Sequence, residues 1–359
     1  MHTELHQTEV EGLAEEWRAL HRSDVLATPF VSPAWVFACW RHYGGETRPW
    51  ILTVRDEGGL VGLAPLAMRT RGSVRTLCVV GEELGDYWDV LAAPEQRAEV
   101  LDSVGRALRR RSGEWDELVL GRLPGGSATR VGLDAAGTVT ERGAMPCPGI
   151  ELPASFDEYL ERLPNRRRWH MRRDLRRLDE GELQLRAVSR PAEISAAMRR
   201  WHELRLRQWA EQGRELYSLQ ADDRFQAFMA EVMGELVPGG QGIIWEFSTP
   251  DGLVGSYVAF LGARSFFPYL GGYEPSAGPL GIGKIAIGAG IRSAIAGGRD
   301  YYDFMIGAEP YKYQYGATDR RIDQLVVRST SPRSRLVWAT RRTVRRVRRL
   351  PHHRRRPAT

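Results

Sequence analysis

The chain holds two lysines, Lys284 and Lys312, against 49 arginines, and both fall in one stretch dense in glycine and tyrosine. A lysine ammonium is a compact point charge whose pKa moves with its surroundings, so its restriction to this stretch points to ammonium chemistry there, with codon bias as the plain alternative. Lys312 sits in Gly307-Ala-Glu-Pro-Tyr-Lys-Tyr-Gln-Tyr-Gly316, a short irregular run that also carries Glu309, Tyr311 and Tyr313. Before it, Tyr301-Tyr-Asp-Phe-Met-Ile306 reads as a strand. Its alternation sends Tyr302, Phe304 and Ile306 to one face and Tyr301, Asp303 and Met305 to the other. With the aromatic face in the core, Asp303 faces a cleft. Ionisable groups gathered on a loop after a strand suit acid–base or charge-stabilising work, and an ordinary surface loop is the competing reading.

Lys284 closes a second arrangement, Gly278-Pro-Leu-Gly-Ile-Gly-Lys284, which leads into a helical pattern on Ile287, Ile291, Ala294 and Ile295. A glycine-rich turn entering a helix aims unpaired N–H groups at one spot, where the helix dipole also favours an anion. Gly278, Gly281 and Gly283 permit close backbone approach, and Lys284 adds a cation, so the segment reads as a phosphate cradle or as a plain loop.

The elements that must position these residues occur twice. Gly-Leu-Val-Gly stands at Gly59–Gly62 and again at Gly252–Gly255. After the first copy come strand-like Leu63–Ala67 and Thr76–Val80, a helical Glu95–Arg111, and Trp115–Leu120. After the second come Tyr257–Leu261, Phe266–Leu270, a helical Lys284–Ala296, and Tyr301–Ile306. The shared order implies a duplicated hairpin, helix and strand unit. In the first copy the helix starts Pro94-Glu-Gln-Arg-Ala-Glu99, without glycine and with two carboxylates that repel phosphate, so only the second copy is fitted to a phosphorylated donor. Between the copies, helical spacing gathers Trp169, Arg172, Arg173, Arg176 and Arg177 on one surface, which reads as an anion-binding face or as arginines paired with Asp174, Asp179 and Glu180. A further long helix, Ala192–Glu211, reads as a packed core element.

Composition bounds the class. Forty-two per cent hydrophobic residues over 359 positions support two cores. Cys39, Cys78 and Cys147 are too few and too scattered for a disulfide framework, and scattered histidines give no metal-ligand spacing, so a cytoplasmic protein without a metal is expected. The polar N-terminus and the lack of a long apolar run give no sign of a signal peptide or membrane span. The net charge of +6 is uneven, because residues 333–359 hold eleven arginines and no acid while the rest carries 40 basic and 45 acidic residues. That tail, Arg333–Arg356, suits RNA, an anionic membrane surface or a polyanion, or is a solvated terminus without a partner.

Phe156-Asp-Glu-Tyr-Leu160 with the arginine-rich helix, Gly278–Gly283, Tyr302-Asp-Phe304 and Gly307–Lys312 together resemble the CelD/BcsL-like, FemABX-related branch of the GNAT acetyltransferase superfamily. Phe30–Trp35, Ala64-Pro-Leu66 and Gly85-Asp-Tyr-Trp-Asp89 fit the same resemblance in the first half. It implies an α/β fold of two tandem GNAT-like domains, 1–150 on the structural or acceptor side and 151–330 on the acyl-donor side, with 331–359 as a basic tail. The implied activity is acyl transfer from acyl-CoA to an amine or hydroxyl of a sugar, cell-envelope precursor or secondary metabolite. Gly278, Gly281, Gly283 and Lys284 would hold the pyrophosphate of coenzyme A, although position 278 has glycine where the superfamily has Arg or Gln. Asp303 or Glu309 would serve as base, with Lys312 facing developing negative charge. Pro268 interrupts its strand, so N–H groups of Leu270 or Gly271 would receive the donor carbonyl. Asp86, Tyr87, Asp89, Arg172, Tyr269, Tyr311 and Tyr313 would contact substrate. Two alternatives stay open: an aminoacyl-tRNA donor, as FemABX relatives use, and a non-catalytic component of a polysaccharide or membrane assembly.

Overall fold

The computed structural model describes residues 1–213 and 220–339. Each Gly-Leu-Val-Gly opens a strand, β3 (Gly59–Arg71) and β10 (Gly252–Leu261), paired by a tight turn to β2 (Thr47–Asp56) and β9 (Gly242–Thr249). The first glycine of each copy has a positive φ, 122° at Gly59 and 129° at Gly252, which side-chain-bearing residues rarely adopt. The register slips at the valine of each copy: Gly62 and Leu60 oppose Val54 and Arg55, and Leu253 and Gly255 oppose Ser248 and Phe247. Val61 and Val254 are therefore matching bulges. The last glycine seats a helix. A Cβ on Gly62 would lie 2.2 Å from Val100, and one on Gly255 would lie 2.7 Å from Ile282. These contacts come from the first turns of α3 (Arg97–Arg110) and α9 (Ile282–Ala296). Four residues thus set turn, bulge and helix packing in both copies, so the duplication read from sequence is a structural one.

The remaining strands are β1 (His2–His6), β4 (Val74–Cys78), β5 (Leu91–Ala92), β6 (Glu117–Pro124), β7 (Gly137–Glu151), β8 (Gln184–Ala187), β11 (Ser265–Tyr273), β12 (Tyr301–Asp303) and β13 (Thr318–Ser329). They form one mixed sheet in the order β1-β2-β3-β4-β6-β13-β7-β12-β11-β10-β9-β8, with β5 on β3. β13 lies between β6 and β7, antiparallel to both, so a late strand is set among early ones.

Three cores flank this sheet. One holds Trp17, Trp50, Trp115 and the apolar side of α3. A second joins both halves through α2 (Pro33–Tyr43), α7 (Pro191–Glu211) and α8 (Asp223–Leu236), where Trp35 meets Phe228 and Phe260 edge-on. The third packs α9 with α5 (Phe156–Arg162) and α6 (Asn165–Asp179) on the other face. Among the described residues no helix is long and apolar enough to cross a membrane. Residues 340–359, which include most of the arginine tail, lie outside the described residues; in its described part Leu336 is exposed.

Candidate functional site

The duplicated unit splays its strands in both halves. β4 pairs in parallel with β6 only at Thr76–Glu117 and Leu77–Leu118, and β11 pairs with β12 only at Ser265–Tyr301 and Phe266–Tyr302. The first gap is filled from within. The Gly121 N–H donates to Glu82, the Trp88 N–H donates to the Arg122 carbonyl over 2.9 Å, and Arg122 pairs with Asp86. The second gap stays open. It forms a cavity of about 690 Å³ lined by Pro268, Tyr269, Leu270 and Gly271 of β11, by Met305, Ile306, Glu309, Tyr311 and Lys312, and by Asp86, Arg122 and Arg205 across from them. Pro268 falls at a register slip, where Leu270 and Pro268 oppose Val258 and Ala259.

Why β12 stops is legible in its last residues. Tyr302 and Phe304 enter the core under α9 as alternation predicts, and Asp303 faces the other way. Met305 then has φ 63°, a left-handed value rare for a side-chain-bearing residue. This turn breaks the alternation, so Ile306 packs beside Met305 on the opposite core instead of beside Phe304. Asp303 and Lys312 hold the turn from its two ends. The Met305 N–H donates to Asp303 over 2.7 Å, and the Lys312 ammonium donates to the carbonyls of Met305, Ile306 and Gly307 over 3.2, 3.1 and 3.0 Å. Lys312 also pairs with Glu309 at 2.8 Å, and its side chain is 4% exposed.

Asp303 is buried, and the Tyr87 hydroxyl donates to both its oxygens at 2.7 Å, with the Cys147 thiol at 3.5 Å. Burial pushes its carboxyl up to about 6, against the opposing pull of these donors. The same burial raises Asp86, which accepts from the Ile306 N–H over 3.1 Å. Asp303, Tyr87 and Asp89 line a different cavity, also about 690 Å³, with Tyr301, Arg264 and Arg320. The residues expected to do chemistry are therefore divided: Glu309, Lys312, Asp86, Tyr269 and Tyr311 share the open cleft, while Asp303, Tyr87 and Asp89 stand behind the Met305 turn. Asp89 is occupied by the Ser127 hydroxyl at 2.8 Å and by that of Thr129. Tyr313 points to Asp319 over 2.7 Å on the exposed side.

The glycine turn enters α9 with Gly281 as its N-cap at φ 71°, and no side chain caps this end. A Cβ on Gly278 or Gly283 would meet nothing within 4 Å, so the backbone is open to a ligand at both. The helix's first N–H groups have no intrahelical acceptor, a setting suited to phosphate. Arg177 of α6 donates to the Leu280 carbonyl over 2.9 Å and so holds the turn. The basic helix lies beside this turn. Arg173 pairs with Asp174 at 2.7 Å, Asp179 with Arg292 at 2.9 Å, and Arg172 and Trp169 are exposed.

Arg205, Arg122 and Glu82 were not singled out by sequence. For Arg205 a signal existed, since it falls four residues after Trp201 on the buried stripe of α7, where an arginine is unexpected.

Residues 165–313 match the family model described as an acetyltransferase (GNAT) domain. No curated protein matches the chain in sequence. Among solved structures, the crystal structure of FemX is similar over 90% of this chain and 97% of its own, with TM-score 0.64 at 10% identity. The C-terminal domain of a putative lysylphosphatidylglycerol synthetase from Agrobacterium fabrum is similar over 93% and 97%, with TM-score 0.55 at 10% identity. L-PGS from Bacillus licheniformis is similar over 86% and 96%, with TM-score 0.52 at 12% identity. At such identities the likeness is one of fold.

Proposed function

We propose that the open cleft of this chain, whose residues 165–313 match an acetyltransferase (GNAT) domain, transfers an acyl group from acyl-CoA to an amine. A sugar, a cell-envelope precursor or a secondary metabolite would carry that amine. The observation that carries this reading is the open splay between β11 and β12, walled on one side by Ile287 of α9, while the equivalent gap in the first half is filled. Residues 151–330 then supply the donor side. Residues 1–150 contribute Asp86 and Arg122 to the acceptor side.

The acyl thioester would supply an activated carbonyl. Gly278, Gly281, Gly283 and Lys284 would hold its phosphates, and the free edge at Leu270 and Gly271 would lie along its arm. Asp86 is the carboxylate best placed to orient the amine, because it lines the cleft and burial makes it a stronger base than an exposed aspartate. Glu309, at the rim, is the second candidate to accept the proton. Asp303 and Lys312 act on this reading as positioning residues, since together they hold the Met305 turn that ends β12. Tyr269 is fixed by donation to the Leu84 carbonyl over 2.8 Å, which ties the donor strand to the acceptor side.

One observation favours an aminoacyl-tRNA donor: α6, which carries exposed Trp169 and a run of arginines, reaches the glycine turn through Arg177. Titration of the full chain with coenzyme A, acetyl-CoA and bulk tRNA, with and without residues 333–359, separates the two. Tail-independent tRNA binding without coenzyme A binding would overturn the thioester reading. Binding of neither would favour a non-catalytic role.

A further inference from the structure

Arg205 projects from α7 to the wall of the open cleft and is 1% exposed. Its flat guanidinium lies against Trp201, 4.9 Å from the ring centre, and nears Phe225 at 5.7 Å. Nη2 donates to Gln220 over 3.0 Å, whereas Nε and Nη1 are buried with no acceptor. Among the described residues no carboxylate lies within ion-pair distance of it.

A buried charge is ordinarily paired, because leaving water costs several kcal/mol that only an opposite charge or full hydrogen bonding offsets. The other charges of the wall offer it nothing. Asp86 is taken by Arg122 and the Ile306 N–H, Glu309 is taken by Lys312, and Glu83 is exposed. Burial also pushes the Arg205 guanidinium down to about 10, the mark of a cation without a counter-charge. The backbone makes room for this placement, since a Cβ on Gly272 would lie 2.6 Å from both the Arg205 amide nitrogen and its Cγ.

We propose that Arg205 is the anchor for a carboxylate carried by the substrate, with the unpartnered Nη1 end of its guanidinium as donor. A monoanion is the better fit than a phosphate dianion, because one guanidinium among Trp201, Phe225, Trp209 and Leu270 balances one charge. The carboxylate belongs to the acceptor, which is then an amino acid or a molecule ending in one; a dicarboxylic acyl donor is the other source. The assignment of a carboxylate-bearing acceptor rests on the acyl-transfer reading, while the anion site itself does not.

The test uses the full chain, wild type, Arg205→Met and Arg205→Lys, with melting curves and calorimetric titration at matched ionic strength. Glycine and β-alanine should raise the melting temperature of the wild type, where ethylamine and inorganic phosphate do not. Arg205→Met should melt no lower than wild type without ligand, because it sheds an unpaired buried charge, and should bind the amino acids at least tenfold more weakly. A structural arginine would give the opposite: a lower melting temperature and no change in the carboxylate response. If Arg205→Met does not fold, an unchanged response in Arg205→Lys overturns the proposal, and a tenfold weaker one supports it. Succinyl-CoA binding tighter than acetyl-CoA, with the preference lost in Arg205→Met, would move the carboxylate to the donor and overturn the acceptor assignment. Binding of carboxylates to a wild type that ignores acetyl-CoA would sink the thioester reading and leave the anion site standing.

Discussion

Replacing Lys312 with methionine tests whether its ammonium holds the wall of the cleft or works on the reacting atoms. The side chain is 4% exposed and donates to three successive carbonyls, those of Met305, Ile306 and Gly307. Methionine keeps most of the apolar stem and removes all three donors. The Met305 carbonyl belongs to a buried residue, so losing its donor costs about 2 kcal/mol. The other two belong to partly exposed residues and regain water, at about 0.5 kcal/mol each. The Glu309 partner is 53% exposed and adds little. Relief of the buried charge takes back part of the total, leaving a loss of about 2–3 kcal/mol, or roughly 30- to 150-fold in the folding constant. The left-handed turn at Met305 relaxes once it is released, since that conformation is unfavourable for methionine by about 1–2 kcal/mol. Guanidinium denaturation reads the first effect, and hydrogen exchange at the Met305 and Ile306 amides reads the second. A loss below about 0.5 kcal/mol with both amides still protected refutes the positioning role. If transfer activity disappears in that same stable variant, Lys312 belongs to the chemistry.

Asp303 makes stability depend on pH with a definite sign. Its folded carboxyl titrates at about 6 against 3.8 ordinarily, so the folded chain holds the proton more tightly and loses stability as pH rises from about 4 to about 6, by roughly 3 kcal/mol. Asp303→Asn should flatten the stability profile over that window, and an unchanged slope counts against the burial argument. In the glycine turn, Gly281→Ala places a side chain at φ 71° and should weaken coenzyme A binding about fivefold, through a strain of roughly 1 kcal/mol. Gly278→Arg, at an open position, should tighten coenzyme A and leave tRNA affinity unchanged if the donor is a thioester; calorimetry decides, and no gain for coenzyme A argues against that donor. Gly271→Ala would bring a methyl to 2.1 Å from the Tyr257 ring, so it should lower stability by about 1–3 kcal/mol and narrow the cleft, as read by denaturation and acetyl-CoA affinity.

Much of this arrangement was legible in the residues because it is local. Gly-Leu-Val-Gly specifies a turn, a bulge and a helix seat within four positions, which is why the repeat and its elements could be read, and the mixed α/β fold with it. The glycine turn before α9 was legible for the same reason. The failures arise where a residue's role depends on distant partners. Alternation carried the reading through Phe304, but the left-handed turn at Met305 is held by Lys312, seven residues on, and no periodicity contains that bond. The division of Asp303 from Glu309 follows from the same turn. The filling of the first gap depends on Glu82 reaching Gly121, 39 residues away. Arg205 sits on a helical stripe that reads as core, where an arginine is unexpected, but its lack of a counter-charge shows only in three dimensions.

The place of β13 reaches beyond the site. Residues 318–329 fill the slot between β6 and β7, pairing on one side with 117–124 and on the other with 137–151. A ribosome releases the first of these partners about two hundred residues before the strand that joins them. Until then β6 and much of β7 have unpaired edges and only part of a core, the condition in which nascent chains associate wrongly. The first half therefore cannot finish folding while the second is being made. Synthesis order and assembly order run against each other in this protein, and its folding is expected to be slow, dominated by contacts of long sequence separation, and dependent on whatever shields those edges in the interval.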